Sequence, residues 1–155
     1  ERAIFETIAE LPIQFVAQAQ WIFQEAELFY VVNENYPRGN LLEYMKQYGP
    51  LGSIRTSFYA SELVVALSSL HSAGIVHRAL NPSTIMFDAQ GHLVLSDFTH
   101  AELTSSTVLP PTIAHSWIQN SHMPPQYLAP ELILGWAHDT AVDCWSFGII
   151  LCFML

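Results

Sequence analysis

Two short polar clusters hold the side chains of this chain best placed to act together on a ligand. One is the loop His77-Arg78-Ala79-Leu80-Asn81-Pro82-Ser83-Thr84, and the other is Asp97-Phe98-Thr99. Between them lies a two-stranded pattern whose turn is Asp88-Ala89-Gln90-Gly91, with the second strand over Leu93 to Ser96. Such a hairpin returns Asp97 to the side of the loop that starts at His77, so a site is assembled from residues distant in sequence. It would offer an imidazole, a guanidinium, an amide and several hydroxyls. Its single carboxylate is Asp97.

The rest of the chain reads as the frame for that hairpin. Glu1 to Leu11 has helical periodicity, with Ile4, Phe5 and Ile8 on one face. Phe15 to Phe23 and Leu28 to Val32 read as two strands around the turn Gln24-Glu25-Ala26-Glu27. Asn33 to Gly39 is polar and turn-rich, a connector. Asn40 to Gln47 reads as a capped helix ended by Tyr48-Gly49-Pro50. Ile54 to Ser72 reads as a longer one, with Tyr59, Leu63, Leu67 and Leu70 at helical spacing and Gly74 as its stop. The strand Ile75-Val76 leads into the polar loop. After the hairpin comes a long irregular segment, Thr99 to Tyr127, of the kind that is usually functional or disordered. The apolar run that follows Asp143 is hydrophobic on nearly every face and predicts a buried helix.

Composition narrows the function classes. The chain has 155 residues, is 51% hydrophobic and carries a formal charge of −9 from 14 acidic and 5 basic residues. Lys46 is the sole lysine. Nucleic acid and anionic membrane surfaces both call for clustered cations and are excluded as partners. Cys144 and Cys152 lie eight residues apart in one apolar segment, too far for a disulfide within a helix, and read as buried thiols of a reducing compartment. No apolar run of about 18 residues and no signal peptide is present, so a cytoplasmic or nuclear protein is expected.

Taken in order, the motifs resemble the eukaryotic protein kinase domain, specifically the AGC group of serine/threonine kinases. Glu1-Arg2-Ala3-Ile4-Phe5 is similar to the family's E-R-x-I-L, and Phe23-Gln24 through Phe29-Tyr30 to its F-Q-x-x-x-x-L-Y. His77-Arg78-Ala79-Leu80 through Thr84 resembles H-R-D-L-x-x-x-N, and Asp97-Phe98-Thr99 resembles D-F-G. Pro125-Gln126-Tyr127-Leu128-Ala129-Pro130-Glu131 matches the end of the activation segment, and Asp143-Cys144-Trp145-Ser146-Phe147-Gly148 the start of the large lobe's central helix. The resemblance implies an α+β, two-lobe kinase-like fold. Residues 1–33 are the end of the small lobe, 34–39 the hinge, and 40–155 the mainly helical first part of the large lobe. A whole kinase domain is longer, so a fragment is expected; the strand-three Lys and the glycine-rich loop would precede residue 1.

The same resemblance assigns roles. Glu1 would pair with that Lys. The backbone of Glu34 and Tyr36, with Met86, would hold adenine, while Asn33 falls at the gatekeeper position. Asp97 would hold Mg²⁺. Phe5, His77 and Phe98 would form a hydrophobic stack, Asp143 would brace the backbone at His77 and Arg78, and Glu131 would pair with an Arg beyond residue 155. Arg78 would clamp a phosphothreonine, but Asn120 stands there, next to Ser121, and a Ser/Thr run from Thr104 to Thr107 reads as linker. Pro124 replaces the Thr that touches the catalytic Asp.

The departures from the family pattern fall on the chemistry. Ala79 occupies the position of the proton-accepting Asp, Asn81 that of the Lys facing the phosphoryl group, and Thr84 that of the metal-binding Asn. ATP and Mg²⁺ are therefore possible cofactors and not assured ones. Three readings follow: a pseudokinase scaffold acting on a protein partner, a slow serine/threonine kinase acting on a protein substrate, or a structural module without nucleotide.

Overall fold

The computed structural model describes residues 2–11, 13–26, 28–104 and 123–155. In chain order they form α1 (Arg2–Glu10), β1 (Ala19–Glu25), β2 (Leu28–Asn33), α2 (Leu41–Tyr48), α3 (Gly52–Ser72), β3 (Ile75–Val76), β4 (Ile85–Phe87), β5 (Leu93–Leu95) and β6 (Glu102–Leu103). A 3₁₀ turn (Pro125–Tyr127), α4 (Pro130–Leu134) and α5 (Ala141–Met154) complete the order. The strands make three antiparallel pairs, β1 with β2, β3 with β6 and β4 with β5. The α+β class read from the sequence is what is found.

Local chemistry sets the element ends. Asn40 caps α2, its Oδ1 accepting the Glu43 N–H at 2.9 Å. Gly49, at φ 77°, ends the helix by donating its N–H to the Met45 carbonyl, a conformation that costs glycine little. Along α3, Leu63, Ala66, Leu67 and Leu70 are buried at helical spacing and join Ile85, Leu93, Leu95, Phe98, Ile150 and Met154 in one core. Strand-period alternation is weak in β4 and β5, because Ile85, Phe87, Leu93 and Leu95 pack inward while Val94 is also covered.

Three sequence expectations need correction. The first strand starts at Ala19, not Phe15. Residues 15–17 instead run beside β5, where the Phe15 carbonyl accepts the Leu95 N–H at 2.8 Å and the Ala17 N–H reaches the Leu95 carbonyl at 2.9 Å. Gln24 and Glu25 belong to β1, the turn being tightened by Ala26 at φ 53°. Finally, α5 is not buried all round. Val142, Ser146, Ile150 and Met154 recur every four residues on one covered face, while Trp145 is 47% exposed and both cysteines are exposed. The described residues pack against that single face, which at 3.6 residues per turn leaves Cys144 and Cys152 outside it.

Two buried carboxylates hold the hairpin and the polar loop in place. Asp143 on α5 is fully buried; its Oδ1 accepts the Arg78 N–H at 2.8 Å, and its Oδ2 accepts the His77 N–H at 2.9 Å and lies 2.8 Å from His71 Nε2. Arg78 sits at φ 62°, a left-handed conformation that a bulky residue keeps only when its surroundings enforce it. Glu62 on α3 does the same for the turn, accepting the Leu93 N–H at 2.8 Å through Oε2 and lying 2.5 Å from His92 Nδ1 through Oε1.

Replacing Asp143 with Ala leaves two buried N–H groups without acceptors, which costs on the order of 3 kcal/mol. Asp97→Ala removes an exposed group and places Ala at φ 62°, which costs about 1 kcal/mol. Chemical denaturation of the two variants measures the difference, and equal losses would contradict the bracing role. The Glu62 hydrogen bond raises the pKa of His92 above 6.5, against a smaller opposing effect of desolvation. A raised pKa in the folded state stabilises fully below the unfolded value and is lost as pH rises through the folded one. Wild type should therefore lose stability relative to His92→Gln as pH rises above about 6.5, and a pH-independent difference between the two would refute the linkage.

Candidate active site

The loop from His77 to Thr84 is closed upon itself. Asn81 donates from Nδ2 to the Ala79 carbonyl at 2.9 Å, and its Oδ1 accepts both the Ser83 N–H at 2.9 Å and the Ser83 hydroxyl at 2.5 Å. The Thr84 hydroxyl donates to the Asn81 carbonyl at 2.9 Å and accepts the Asn81 N–H at 3.2 Å. Ala79, Asn81 and Thr84 are all buried. Proline at 82 and the Asx-type contact of Asn81 with Ser83 favour this tight turn. A methyl group at 79 can neither accept a proton nor orient a hydroxyl, and the two polar side chains are committed to the backbone around them.

His77 lies at the centre of the loop and is wholly buried. Its Nε2 donates to the Ser96 carbonyl at 3.0 Å and its Nδ1 accepts the Ala79 N–H at 3.3 Å, which fixes a neutral tautomer. Burial lowers its pKa, with Asp143 as the main opposing influence. The ring packs on Phe98 at a centroid distance of 5.2 Å, and Phe98 meets Phe5 edge-on at 6.1 Å, so α1, the loop and the strand end are joined by a stack of three rings. Arg78 donates from Nε to the His100 carbonyl at 2.8 Å and pairs with Glu102. Burial lowers its pKa and Glu102 opposes this.

Glu102 was missed by sequence reasoning. Its only signal is an acidic residue in a short β-rich stretch beyond the hairpin, and its placement depends on β6 pairing Val76 opposite Glu102. Asn120, aligned with the family's phosphorylated Thr, and the adjacent Ser121 fall outside the described residues, as do Glu1 and residues 105–107 of the Ser/Thr run.

Asp97 has a different setting from the loop. It is exposed, lies at φ 62°, and its Oδ1 accepts the Thr99 N–H at 3.3 Å. With Phe5, Ala17, Phe29, Val31 and Asn33 it lines a cavity of about 230 Å³, so residues of α1, β2 and the end of β5 meet at one place. The side chains of Glu34 and Tyr36 do not join it. They line another cavity, of about 390 Å³, with Phe15, Asp88 and His92, where burial and then Glu34 raise the Tyr36 phenol pKa. Met86 is half-buried and bridges Asn40. Glu131 stands in the first turn of α4, its carbonyl accepting the Trp136 N–H at 2.8 Å.

A magnesium ion in a nucleotide site needs one or two carboxylates, the rest of its octahedron coming from phosphate and water. Asp97 is an exposed carboxylate in a cavity and fits that requirement. Thr84 does not fit a second metal position, being buried with its hydroxyl engaged. No cluster of three His, Cys, Asp or Glu side chains suited to a metal occurs among the described residues, nor does any helix there that is long and apolar enough to cross a membrane.

Comparison with known proteins agrees with this geometry. The protein kinase domain model matches residues 2–155. The mouse (Mus musculus) cAMP-dependent protein kinase catalytic subunit PRKX is 34% identical over 155 residues, covering 100% of this chain and 40% of that protein. Protein kinase 2 of Dictyostelium discoideum is 33% identical over 155 residues, covering 100% and 30%, and the Saccharomyces cerevisiae serine/threonine-protein kinase YPK1 is 33% identical over 148 residues, covering 96% and 21%. The chain thus spans half or less of the length of these relatives. It belongs to the protein kinase domain family and is a serine/threonine kinase-like domain of the AGC type.

Proposed function

We propose that this chain is part of a pseudokinase, a kinase-like scaffold that works through a protein partner and retains a place for a magnesium nucleotide at Asp97. The closed catalytic loop carries the reading. Ala79 supplies no base, and the side chains of Asn81 and Thr84 are held by the loop's own backbone and Ser83. When bound, magnesium would screen the nucleotide phosphates and orient them. Asp97 would hold it, and the Phe5, Phe98 and His77 stack would keep Asp97 at the cavity.

A second reading, a slow serine/threonine kinase, is favoured by the same exposed Asp97 and by that unbroken stack. Loss of a general base alone costs typically 10² to 10⁴ in rate, about 3–5 kcal/mol. Here a cation and a metal ligand are replaced as well, and all three act on one transition state.

Ala79→Asp is expected to leave phosphoryl transfer far below a typical kinase rate of about 1–100 s⁻¹. Radiolabelled transfer to a generic protein substrate, with the full-length protein, measures this. Recovery of such a rate from that one substitution would overturn the reading, because it would show that Asn81, Thr84 and Pro124 do not matter.

A further inference from the structure

The segment that joins α1 to β1 is tied to the rest of the chain along β5. The Phe15 carbonyl accepts the Leu95 N–H at 2.8 Å, the Ala17 N–H donates to the Leu95 carbonyl at 2.9 Å, and Val16 bridges Leu95 in parallel. Phe15 holds φ 60° there, a left-handed conformation that a bulky residue keeps only when its surroundings enforce it. Its ring meets His92 of the β4–β5 turn at a centroid distance of 6.0 Å, and the same imidazole lies 6.1 Å from Phe58 on α3. Three elements therefore converge on one titratable ring.

That ring is also set against a buried charge. Glu62 is 4% exposed, gives Oε2 to the Leu93 N–H, and has His92 Nδ1 2.5 Å from Oε1. The His92 side chain is 46% exposed, so its proton exchanges with solvent without unfolding. Charging the ring strengthens both sets of contacts at once, because the buried carboxylate gains a counter-charge and the two phenyl rings gain a cation. The surroundings favour that charge. Asp88 accepts the His92 N–H at 2.8 Å, and Glu34 and Tyr36 line a cavity together with Phe15 and His92. The opposing cations are Arg38, which approaches the turn at Gly91, and Arg55, two turns before Glu62 on α3. Gln14 and Phe15 bring no charge from the joining segment.

We propose that His92 is a proton-operated pin: while charged it gathers Glu62, Phe15 and Phe58 and keeps residues 15–17 on β5, and on losing its proton it lets that segment go. The segment carries α1 on one side and β1 on the other, and Phe5, Ala17, Phe29 and Val31 from this part of the chain wall the Asp97 cavity. Because Glu62 raises the His92 pKa in the folded state, the joint is tight at acidic pH and loosens as pH rises through the titration of the ring.

Amide hydrogen exchange of the full-length protein, followed residue by residue by NMR between about pH 5.5 and 8.5 and corrected for the intrinsic pH dependence of exchange, tests this. Protection of the Ala17 and Leu95 amides should fall about tenfold across that range, while Leu67 and Leu70 inside α3 keep theirs. His92→Gln should hold Ala17 and Leu95 at the low value at every pH. Phe15→Leu, which leaves the Glu62 and His92 pair in place, should weaken the pH dependence at Ala17 and preserve it at Leu93. Protection at Ala17 and Leu95 that ignores pH in the wild type, or that keeps its pH dependence in His92→Gln, would overturn the proposal. So would an equal fall at Leu67 and Leu70, because it would show a change in global stability and no local release.

Discussion

A carboxylate taken out of water must have its oxygens satisfied, and Asp143 does this with the backbone of the very loop that would perform catalysis. Both oxygens are engaged, and His71 adds a third contact from α3. The left-handed Arg78 and the inward His77 are held where this one side chain fixes their backbone, and the β4–β5 hairpin returns Asp97 beside them. Because Asp143 binds N–H groups, its role is indifferent to which side chains the loop carries. The loop can therefore change its chemistry and keep its shape.

That separation accounts for the mixed character of the site. The residues that set backbone geometry, Asp143, Glu62 and His77, are buried and fully bonded. The positions that would move protons or hold a second metal carry a methyl, an amide and a hydroxyl, and the latter two have been drawn into the loop's own hydrogen bonds. Asp97 is exposed and lines the cavity formed with Phe5, Ala17, Phe29, Val31 and Asn33. On the proposed reading, holding a ligand and transforming it would fall to different side chains.

Much of this was legible in the sequence because it depends on patterns that are local or strongly spaced. The helical stripe of α3, the Asn40 cap and the hairpin turn are set by residues next to one another. The motif series from His77 through Gly148 was enough to identify the domain family and the α+β architecture. What escaped was non-local. The diversion of residues 15–17 to β5 depends on a strand nearly 80 residues away, by about that much sequence separation. The Arg78 and Glu102 pair depends on β6 finding β3, and the exposure of Cys144 and Cys152 depends on what packs against α5, which apolar composition alone does not report. The commitment of Asn81 and Thr84 to the loop backbone is likewise a matter of rotamer and turn geometry, which residue identity leaves open.

The central claim is that binding survives where catalysis is lost, and magnesium-dependent stabilisation by ATP tests it most directly. The account predicts that ATP with Mg²⁺ raises the melting temperature of the full-length protein, by the equivalent of about 2.7 kcal/mol at a hundredfold excess over Kd, and that Asp97→Asn removes the magnesium dependence. A cooperatively folded protein whose melting temperature is unmoved by ATP and Mg²⁺ would contradict it.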